Sequence, residues 1–277
     1  MAQTINTNIN SITAQRNVSA SQSALSMAMQ RLSSGLRVNS AKDDAAGLAI
    51  SERMNAQVKG MNVAIRNAND AISLAQTAEG ATGKIGDSLQ RMRELAVQSA
   101  NGTNNSGDRT NLQTEFSALQ AEVTRLTSGT KFNSQVLLNG TNATFAFQVG
   151  AGTTSQDTIT VNSSDLSATD TAVAALDISG ATAAGATAAI TALDTAIDSV
   201  TTARSNYGSV QNRFESVISN LMVSSENLTA AKSRITDADF AVETANMSRA
   251  QILQQAGNAM IAQANQQPSQ VLSLLRN

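Results

Sequence analysis

The sequence predicts an elongated, mainly α-helical fold of long helical rods and a coiled-coil bundle, with a small β-hairpin region. One observation behind this is an apolar residue at every seventh position, which forms a column predicted to be the bundle core: Leu193, Val200, Tyr207, Phe214, Leu221, Leu228 and Ile235. A repeat of seven keeps these side chains on one side of a helix. The other is that 41% of the residues are hydrophobic but only 3% are aromatic, which favours thin helix contacts over a thick globular core.

The stretch from Leu193 to Ile235 predicts a straight rod of roughly 64 Å, at about 1.5 Å per residue. Three residues before each core position we expect a companion column of mixed character: Ile190, Ile197, Arg204, Gln211, Ile218, Ser225 and Lys232. Such a rod is stable only when other helices cover its apolar side, because burial must outweigh the entropy lost on ordering the chain.

Two other segments supply helices that can cover this rod. Residues 44–100 predict a second rod, with apolar columns at Met54, Met61, Ala68, Ala75, at Val58, Ile65, Ile72, and then at Ile85, Leu89, Met92. After a turn cluster at 101–109, apolar residues spaced three and four apart from Leu112 to Leu126 predict a shorter third helix. Ser40 and Asp43 have the spacing of a capping box, and a short helix is expected after them.

Both ends of the chain are amphipathic and almost uncharged. Arg16 is the only charged residue from Met1 to Gln30, and Arg276 is the only one from Ala250 onward. Uncharged helices of this kind suit enclosure by neighbouring helices better than exposure to water, and the alternative for the N-terminal segment is a flexible terminus in the isolated chain. We therefore expect the two ends to form one assembly element. The residues expected to carry its contacts are Leu25, Leu32, Leu36, Leu253, Met260, Val271 and Leu274.

The period of the pattern changes to two after residue 129. Phe145, Phe147 and Val149 alternate with polar or small residues, and Ile159 and Val161 follow a loop, which predicts a β-hairpin within about 131–165. Residues 163–189 are nearly all Ser, Thr, Ala, Asp and Gly, and are expected to be a short exposed segment. The predicted domains are a terminal coiled coil, 1–43 with 236–277, and a rod-like middle domain, 44–235.

Composition excludes several classes of function. The net charge of −2 and a pI near 5.2 disfavour nucleic-acid binding, since no basic surface is available for phosphates. The absence of Cys and His removes disulfides and most transition-metal sites, so no cofactor is expected. The N-terminus lacks the features of a secretory signal peptide, and the apolar tract from Ala250 to Leu275 contains too many Gln and Asn residues to span a membrane.

Each candidate catalytic motif in the sequence lacks required residues or has a structural explanation. The glycines around Gly80 do not match a phosphate-binding loop, because Ala78 and Ile85 occupy positions that the motif requires to be Gly and Ser or Thr. Ser128 and Lys131 have the spacing found in serine acylases but lack the companion motifs. The acid pairs Asp43–Asp44 and Asp237–Asp239 are better explained as helix caps. The protein is therefore not expected to be an enzyme.

Long motifs in one order resemble the bacterial flagellin family over essentially the whole chain. They are LSSGLRVNSAKDDAAGLAI at 32–50, QRMRELAVQ at 90–98, TKFN at 130–133 with Leu137 and Leu138, RITDADFA at 234–241 and VLSLLR at 271–276. The resemblance implies a subunit of an elongated helical polymer, the extracellular flagellar filament used for swimming. It also implies that the terminal helices form the inner tube of that filament.

Further expectations rest on the same resemblance. Many flagellins insert outer domains where 163–189 lies, so this chain resembles a short form. Export by the flagellar type III apparatus is implied, as are contacts with an export chaperone, the filament cap and the hook–filament junction proteins. Two alternatives stay open at this point: a hook–filament junction protein, and a helical-bundle scaffold unrelated to motility.

The resemblance also implies a partner outside the bacterium. Arg91, Leu95 and Gln98 lie on a face beside the core column of the second rod, with Glu115 on the following helix. These four match positions by which many flagellins contact the animal Toll-like receptor for flagellin. Leu95 is expected to be exposed on the monomer, on a face that also packs laterally between subunits. The receptor is therefore expected to recognise monomer and not filament.

Overall fold

A computed structural model describes residues 7–180 and 182–275 of the chain, with side chains up to residue 266. Within these residues the α-helices are α1 (Ile9–Ser34), α2 (Ala45–Ala100), α3 (Ser106–Gly129), α4 (Ser167–Ala174), α5 (Ala184–Thr236) and α6 (Phe240–Leu275). The strands are β1 (Lys131–Phe132), β2 (Gln135–Val136), β3 (Thr144–Gln148) and β4 (Thr158–Asn162). The mainly helical fold with long rods is thus confirmed.

Two compact units make up the chain. The terminal unit comprises Met1–Ala56 and Asn227–Asn277, and the middle unit is Gln57–Glu226. These boundaries lie inside α2 and α5, whereas the sequence analysis placed them at the ends of helices, after residues 43 and 235. The sequence periodicity of a helix that runs through both units gives no signal at such a boundary.

The core of the middle unit is built around α5. Of the predicted core column, Leu193, Val200, Tyr207 and Phe214 are buried. Its remaining members, Leu221, Leu228 and Ile235, are half-buried. Leu193, Val200 and Tyr207 pack in one cluster with α2 residues such as Leu89 and Met92, and with Phe116 and Val123 of α3. Phe214 belongs to a second core cluster, with Ala68 and Ala71 of α2 and with Val149, Ile159 and Val161.

The companion column of α5 differs from the one expected. The buried positions lie three residues after Leu193 and Val200, at Ala196 and Ala203, and not three residues before them. Arg204 of the expected column is exposed, and its neighbours Ile197 and Gln211 are only half-buried. The expected column was wrong because it was placed three residues before each core position, whereas small alanines on the other side of the core column fill the narrow contact with the neighbouring helices.

Two antiparallel hairpins follow α3. Strands β1 and β2 pair through Lys131 with Val136, and strands β3 and β4 pair through Phe145 with Val161 and Phe147 with Ile159. The alternation along β3 turns both Phe rings toward the core, where Phe147 meets Phe214 edge-to-face with ring centroids 5.8 Å apart. The predicted hairpin is therefore present, and its apolar face closes the second core cluster.

The segment after β4 is not the exposed loop that its composition suggested. We call residues 166–180 the strap, since they include α4 and lie across α2 and α3. Leu166, Val173 and Ile178 of the strap are buried in the main cluster. The expectation of an exposed segment at 163–189 was therefore wrong for these residues.

Polar side chains of α2 and α3 bind the main chain of the strap. Ser99 donates to the Ile178 carbonyl (2.7 Å), Gln113 accepts from the Ile178 amide (2.8 Å), Arg109 donates to the Gly180 carbonyl (3.1 Å), and Gln120 donates to the carbonyls of Val173 (2.7 Å) and Leu176 (2.9 Å). Because these bonds go to backbone atoms, a strap of small polar residues can be ordered without a core of its own.

Acidic residues begin the helices, as expected. Asp44 caps α2 by accepting from the Gly47 amide (2.8 Å), and Asp239 caps α6 by accepting from the Ala241 amide (2.9 Å). Asp43 instead closes a single turn, and its hydrogen bonds from Ser40 lower the pKa of the Asp43 carboxyl. The short helix expected after Ser40 is therefore only this turn, and α2 starts directly after it.

We predict that Phe214→Ala destabilises the middle unit by about 3–5 kcal/mol, because it removes a fully buried ring and its contact with Phe147. Urea denaturation of the monomer measures this loss. Leu221→Ala, in the same column but half-buried, is the matched control and should cost clearly less. Equal losses for the two variants would contradict the observed end of the buried column.

Candidate assembly surface

The terminal unit holds α1 and α6 side by side. Asn8 caps α1 by accepting from the Ser11 amide (3.1 Å), and the helix ends at Gly35, whose φ of 71° is a left-handed conformation that glycine adopts without strain. Helix α6 starts after the Asp239 cap. The two helices approach each other closely along much of their length.

Polar contacts fix the antiparallel register of this pair. They join Asn8 Nδ2 to the Ala264 carbonyl (2.7 Å), Ser11 Oγ to Asn265 Oδ1 (2.8 Å), Gln254 Nε2 to Gln22 Oε1 (2.6 Å) and Arg31 Nη1 to Glu243 Oε1 (2.9 Å). From Ser11 through Gln22 to Arg31 the α6 partner number falls from 265 through 254 to 243, so the helices run in opposite directions. A slip by one turn would break all of these contacts together.

Small residues allow the close approach. Ala28 of α1 and Ala250 of α6 are buried, and Gly257 lies against Val18, so that a Cβ at position 257 would overlap Val18 Cγ2. The glycine is therefore required by space at this point and not by backbone conformation. In the middle of a helix it costs about 1 kcal/mol relative to Ala, which the close contact of the helices offsets.

The chain segments that enter and leave the pair are tied together. Leu36 and Asp237 form an antiparallel β-bridge, the Arg37 amide donates to the Thr236 carbonyl (2.7 Å), and the Ala238 amide donates to the Gly35 carbonyl (2.9 Å). The predicted assembly residue Leu36 therefore lies in this bridge and not on a helix. The bridge holds the end of α1 beside the start of α6.

The outer surface of the terminal unit is unusually apolar. Among the described side chains it exposes ten large hydrophobic residues, against four in the larger middle unit. The ten are Ile9, Ile12, Met27, Met29, Ile50, Phe240, Val242, Ile252, Leu253 and Met260. Exposed apolar surface concentrated in this way marks an interaction surface, because burying it against a partner is favourable.

A groove runs along one side of the α1–α6 pair, and we call it the assembly groove. One half is lined by residues including Ala14, Val18, Gly257 and Met260, and the other by residues including Ala24, Met27, Ala28 and Ala250. Ser21 and Leu253 line both halves, so the halves are continuous. Its lining is mostly apolar, with Arg31, Glu243 and Arg249 at one end.

The predicted assembly residues fall into three groups. Leu253 and Met260 are exposed in the assembly groove, with 52% and 58% of their surface accessible. Leu25, Leu32 and Leu36 are half-buried. Val271 and Leu274 lie outside the residues whose side chains are described. Phe240 and Ile252 are also exposed but were not among the predicted residues, although apolar residues on uncharged helices could have indicated them.

The four residues predicted to contact the receptor do not form one exposed patch. Arg91 is exposed and pairs with Glu94 (2.8 Å) on its own helix and with Glu115 (2.8 Å) on α3. The pKa of the Arg91 guanidinium is raised, mainly by its hydrogen bond to Glu94 and secondly by its hydrogen bond to Glu115. Gln98 is also exposed.

Leu95 is only 1% exposed, so the expectation that it lies on the surface was wrong. The reason is that α2 has two neighbours. Arg91 reaches Glu115 on α3, while Arg93 reaches Asp194 on α5 (2.5 Å). Helix α2 therefore packs against both α3 and α5, and more of its surface is buried than a single neighbour would cover. Leu95 lies one turn from Arg91, on the side that faces α3, and joins the core cluster.

The described residues carry no other chemistry of note. Among them, no group of three or more Asp or Glu side chains is close enough to hold a metal ion. Within residues 7–180 and 182–275, no helix has an apolar stretch sufficient to cross a membrane.

Comparison with family sequence models gives two matches. The bacterial flagellin N-terminal helical region matches residues 5–143, and the bacterial flagellin C-terminal helical region matches residues 190–275. Neither match includes residues 144–189, which contain the β3–β4 hairpin and the strap.

Similar proteins cover the whole chain. A flagellin of Halalkalibacterium halodurans is 50% identical over 98% of this chain and 99% of its own length, and a flagellin of Bacillus subtilis is 43% identical over 98% and 99%. Flagellin D of Vibrio cholerae is 36% identical over 99% of this chain and 100% of its own. That alignment runs over 376 positions against the 277 residues of this chain, so the Vibrio protein is longer.

Solved structures agree on the fold. The crystal structure of Bacillus cereus flagellin matches with a TM-score of 0.50 at 34% identity, covering 60% of this chain and 94% of that one. A putative flagellar hook-associated protein of Vibrio parahaemolyticus matches with a TM-score of 0.58, over 70% of this chain and 100% of that one. Its identity of 14% indicates a shared fold alone.

We predict that Gly257→Ala loosens the α1–α6 pair, because the added methyl overlaps Val18, whose β-branched side chain has little freedom to turn away. Hydrogen exchange of α1 and α6 amides in the full-length chain should become faster. Gly83→Ala is the matched control, since nothing lies near its added Cβ, and it should leave this exchange unchanged.

The double variant Gly257→Ala/Val18→Ala removes the overlap and should restore much of the protection. Exchange that is equal or slower in the single Gly257→Ala variant would show that the helices do not meet closely at this point.

Proposed function

The chain belongs to the bacterial flagellin family and is a structural subunit of the flagellar filament, and we propose that further copies of the chain fill its assembly groove during polymerisation. The observation that carries this proposal is the concentration of exposed large apolar residues on the terminal unit. A surface of this kind stays soluble at low concentration and becomes buried when copies associate.

Identical copies are the occupants that the charge pattern favours. Helices α1 and α6 carry few charges among their described side chains, namely Arg16, Arg31, Glu243 and Arg249, and Arg31 already pairs with Glu243. Contacts between like copies therefore place few like charges opposite one another. Hydrogen bonds between Asn, Gln, Ser and Thr side chains can satisfy the polar positions between the apolar ones.

The alternatives considered from the sequence are less well supported. Identity of 50% over nearly the full length of a flagellin favours a filament subunit over a hook–filament junction protein. A helical-bundle scaffold unrelated to motility does not account for matches to both flagellin family regions. The family is a structural one, in agreement with the absence of any catalytic motif from the sequence.

The comparison with longer relatives also bears on the segment between the two family regions, residues 144–189. Residues 144–189 match neither family region, and the Vibrio relative is longer than this chain. We propose that the β3–β4 hairpin and the strap stand where longer flagellins carry outer domains. The strap then closes the core of the middle unit directly, by burying Val173 and Ile178.

Export and the remaining partners are proposed from family membership. The subunit would leave the cell unfolded through the flagellar type III apparatus, with an export chaperone, and assemble under the filament cap beyond the hook–filament junction proteins. Its final location would be the extracellular flagellum. The sequence supports rapid refolding after export, because a chain with a single Pro has few slow X-Pro isomerisations, each of roughly 10–100 s.

We predict that Leu253→Asp prevents filament growth, because a carboxylate would be buried in the middle of the assembly groove without a partner. The lowest protein concentration that polymerises should rise by about tenfold or more, as measured by light scattering. Leu253→Met keeps the apolar character and is the matched control, expected to polymerise normally.

Removing residues 1–36 or 240–277 should likewise leave a soluble monomer. Filament growth by either truncated chain, or by Leu253→Asp at the normal concentration, would rule out the assembly groove as the polymer contact. The melting temperature of the middle unit should stay unchanged in Leu253→Asp, since the substituted side chain lies in the terminal unit.

We also propose that the monomer engages the animal Toll-like receptor for flagellin through Arg91, Gln98 and Glu115. The observation in favour is that Arg91 and Glu115 form an exposed ion pair between α2 and α3, with Gln98 on the surface of α2 as well. Leu95 lies beneath this surface and would support it from the core. Leu95→Asp is therefore unsuitable as a test, because it would place a carboxylate in the core.

We predict that Arg91→Ala lowers receptor signalling by the monomer about tenfold or more in reporter cells, because it removes the cation of this surface. Its free energy of unfolding should fall by no more than about 1 kcal/mol, since ion pairs this exposed contribute little. Arg125→Ala, which removes a similarly exposed arginine paired with Glu122, is the control and should signal normally. Full signalling by Arg91→Ala would exclude this surface.

A further inference from the structure

Two methionines line the assembly groove at opposite ends. Met27 of α1 is 48% exposed and lies beside Ala24 and Ala28, and Met260 of α6 is 58% exposed and lies beside Gly257. Leu253 separates them in the middle of the groove. The thioether is the most easily oxidised apolar side chain, and accessible thioethers react much faster than buried ones.

We propose that Met27 and Met260 are oxidation sites that control polymerisation, such that two-electron oxidants of the peroxide class convert the monomer into a form unable to add to the filament. This proposal rests on the proposed function of the assembly groove. In the reaction the sulfur donates an electron pair to one peroxide oxygen, an S–O bond forms and the O–O bond breaks. The oxygen now bound to sulfur releases its proton, which the departing hydroxide takes up to give water. The sulfur loses two electrons and the peroxide gains two.

The product has the wrong polarity for the groove. A sulfoxide oxygen is a strong hydrogen-bond acceptor, whereas the unmodified thioether is an apolar part of a lining that also includes polar residues such as Arg31 and Gln263. Closing the groove over a sulfoxide would therefore bury a polar oxygen at a position that packs as an apolar side chain in the unmodified protein. Oxidation of either methionine therefore weakens the contact with a further copy, which the unmodified side chain favours.

Assembly should also protect these two residues. Once a further copy fills the groove, the sulfurs of Met27 and Met260 are covered and an oxidant in solution no longer reaches them. The monomer is then the sensitive form, and the filament is the resistant one. Met92, which is fully buried in the middle unit, gives an internal reference that should resist oxidation in both forms.

The chain supplies a matched control. Met222 is 55% exposed on α5 of the middle unit, so it is about as accessible as Met27 and Met260 but lies outside the terminal unit. It should be oxidised as readily as Met27 and Met260. Its oxidation should leave polymerisation unaffected, because the proposed contact lies on the terminal unit.

The test treats full-length monomer with hydrogen peroxide, maps each sulfoxide by mass spectrometry and then measures the lowest concentration that polymerises. We expect this concentration to rise by about tenfold or more for the wild type. For the variant Met27→Leu/Met260→Leu the lowest concentration that polymerises should be the same before and after treatment, because Leu has a similar volume and is not oxidised. The variant Met222→Leu should remain as sensitive as the wild type.

A second arm treats filaments assembled beforehand, in which Met27 and Met260 should be oxidised about tenfold more slowly than in the monomer. Wild-type monomer that carries both sulfoxides and still polymerises normally would overturn the proposal. So would equal sensitivity of Met27→Leu/Met260→Leu and the wild type, or equal oxidation of these two residues in monomer and filament. Failure of untreated wild type to polymerise would instead overturn the assembly function, and this proposal with it.

Discussion

Burial of the α5 column against α2 and α3 is the interaction on which the middle unit depends. The contact is thin, since alanines such as Ala71, Ala75 and Ala196 fill much of it. The largest of the fully buried side chains are Tyr207, Phe116 and Phe214. Because so few aromatic residues carry the core, each one should contribute a large share of the stability.

The same constraint explains why the hairpin and the strap are ordered. Each lacks a core of its own, and each adds a small number of apolar side chains to the cluster that the helices provide. The hairpin adds Phe145 and Phe147, and the strap adds Val173 and Ile178. Tyr207 also helps to hold the chain between them, because its hydroxyl accepts a hydrogen bond from the Ser164 amide (3.1 Å).

In the terminal unit, by contrast, large apolar side chains stay exposed. Its two helices pair closely through small residues and polar contacts, but this pairing leaves large apolar side chains such as Ile252 and Phe240 in water. A helix pair has too little surface to bury both of its apolar faces by itself. The proposed contacts with further copies would bury part of this apolar surface, and they would link the incomplete burial in the monomer to the function of the family.

The sequence by itself determined the long helices, the paired uncharged ends, the hairpin and, through its motifs, the family. Tertiary structure alone decided that Leu95 is buried, that Ala196 and not Ile197 fills the companion column, and that the strap is ordered. Periodicity gives the direction of a side chain around its own helix, but not how many neighbours that helix has. The strap is held by side chains such as Arg109 and Gln113, more than 60 residues away in sequence, and its own composition carries no sign of them.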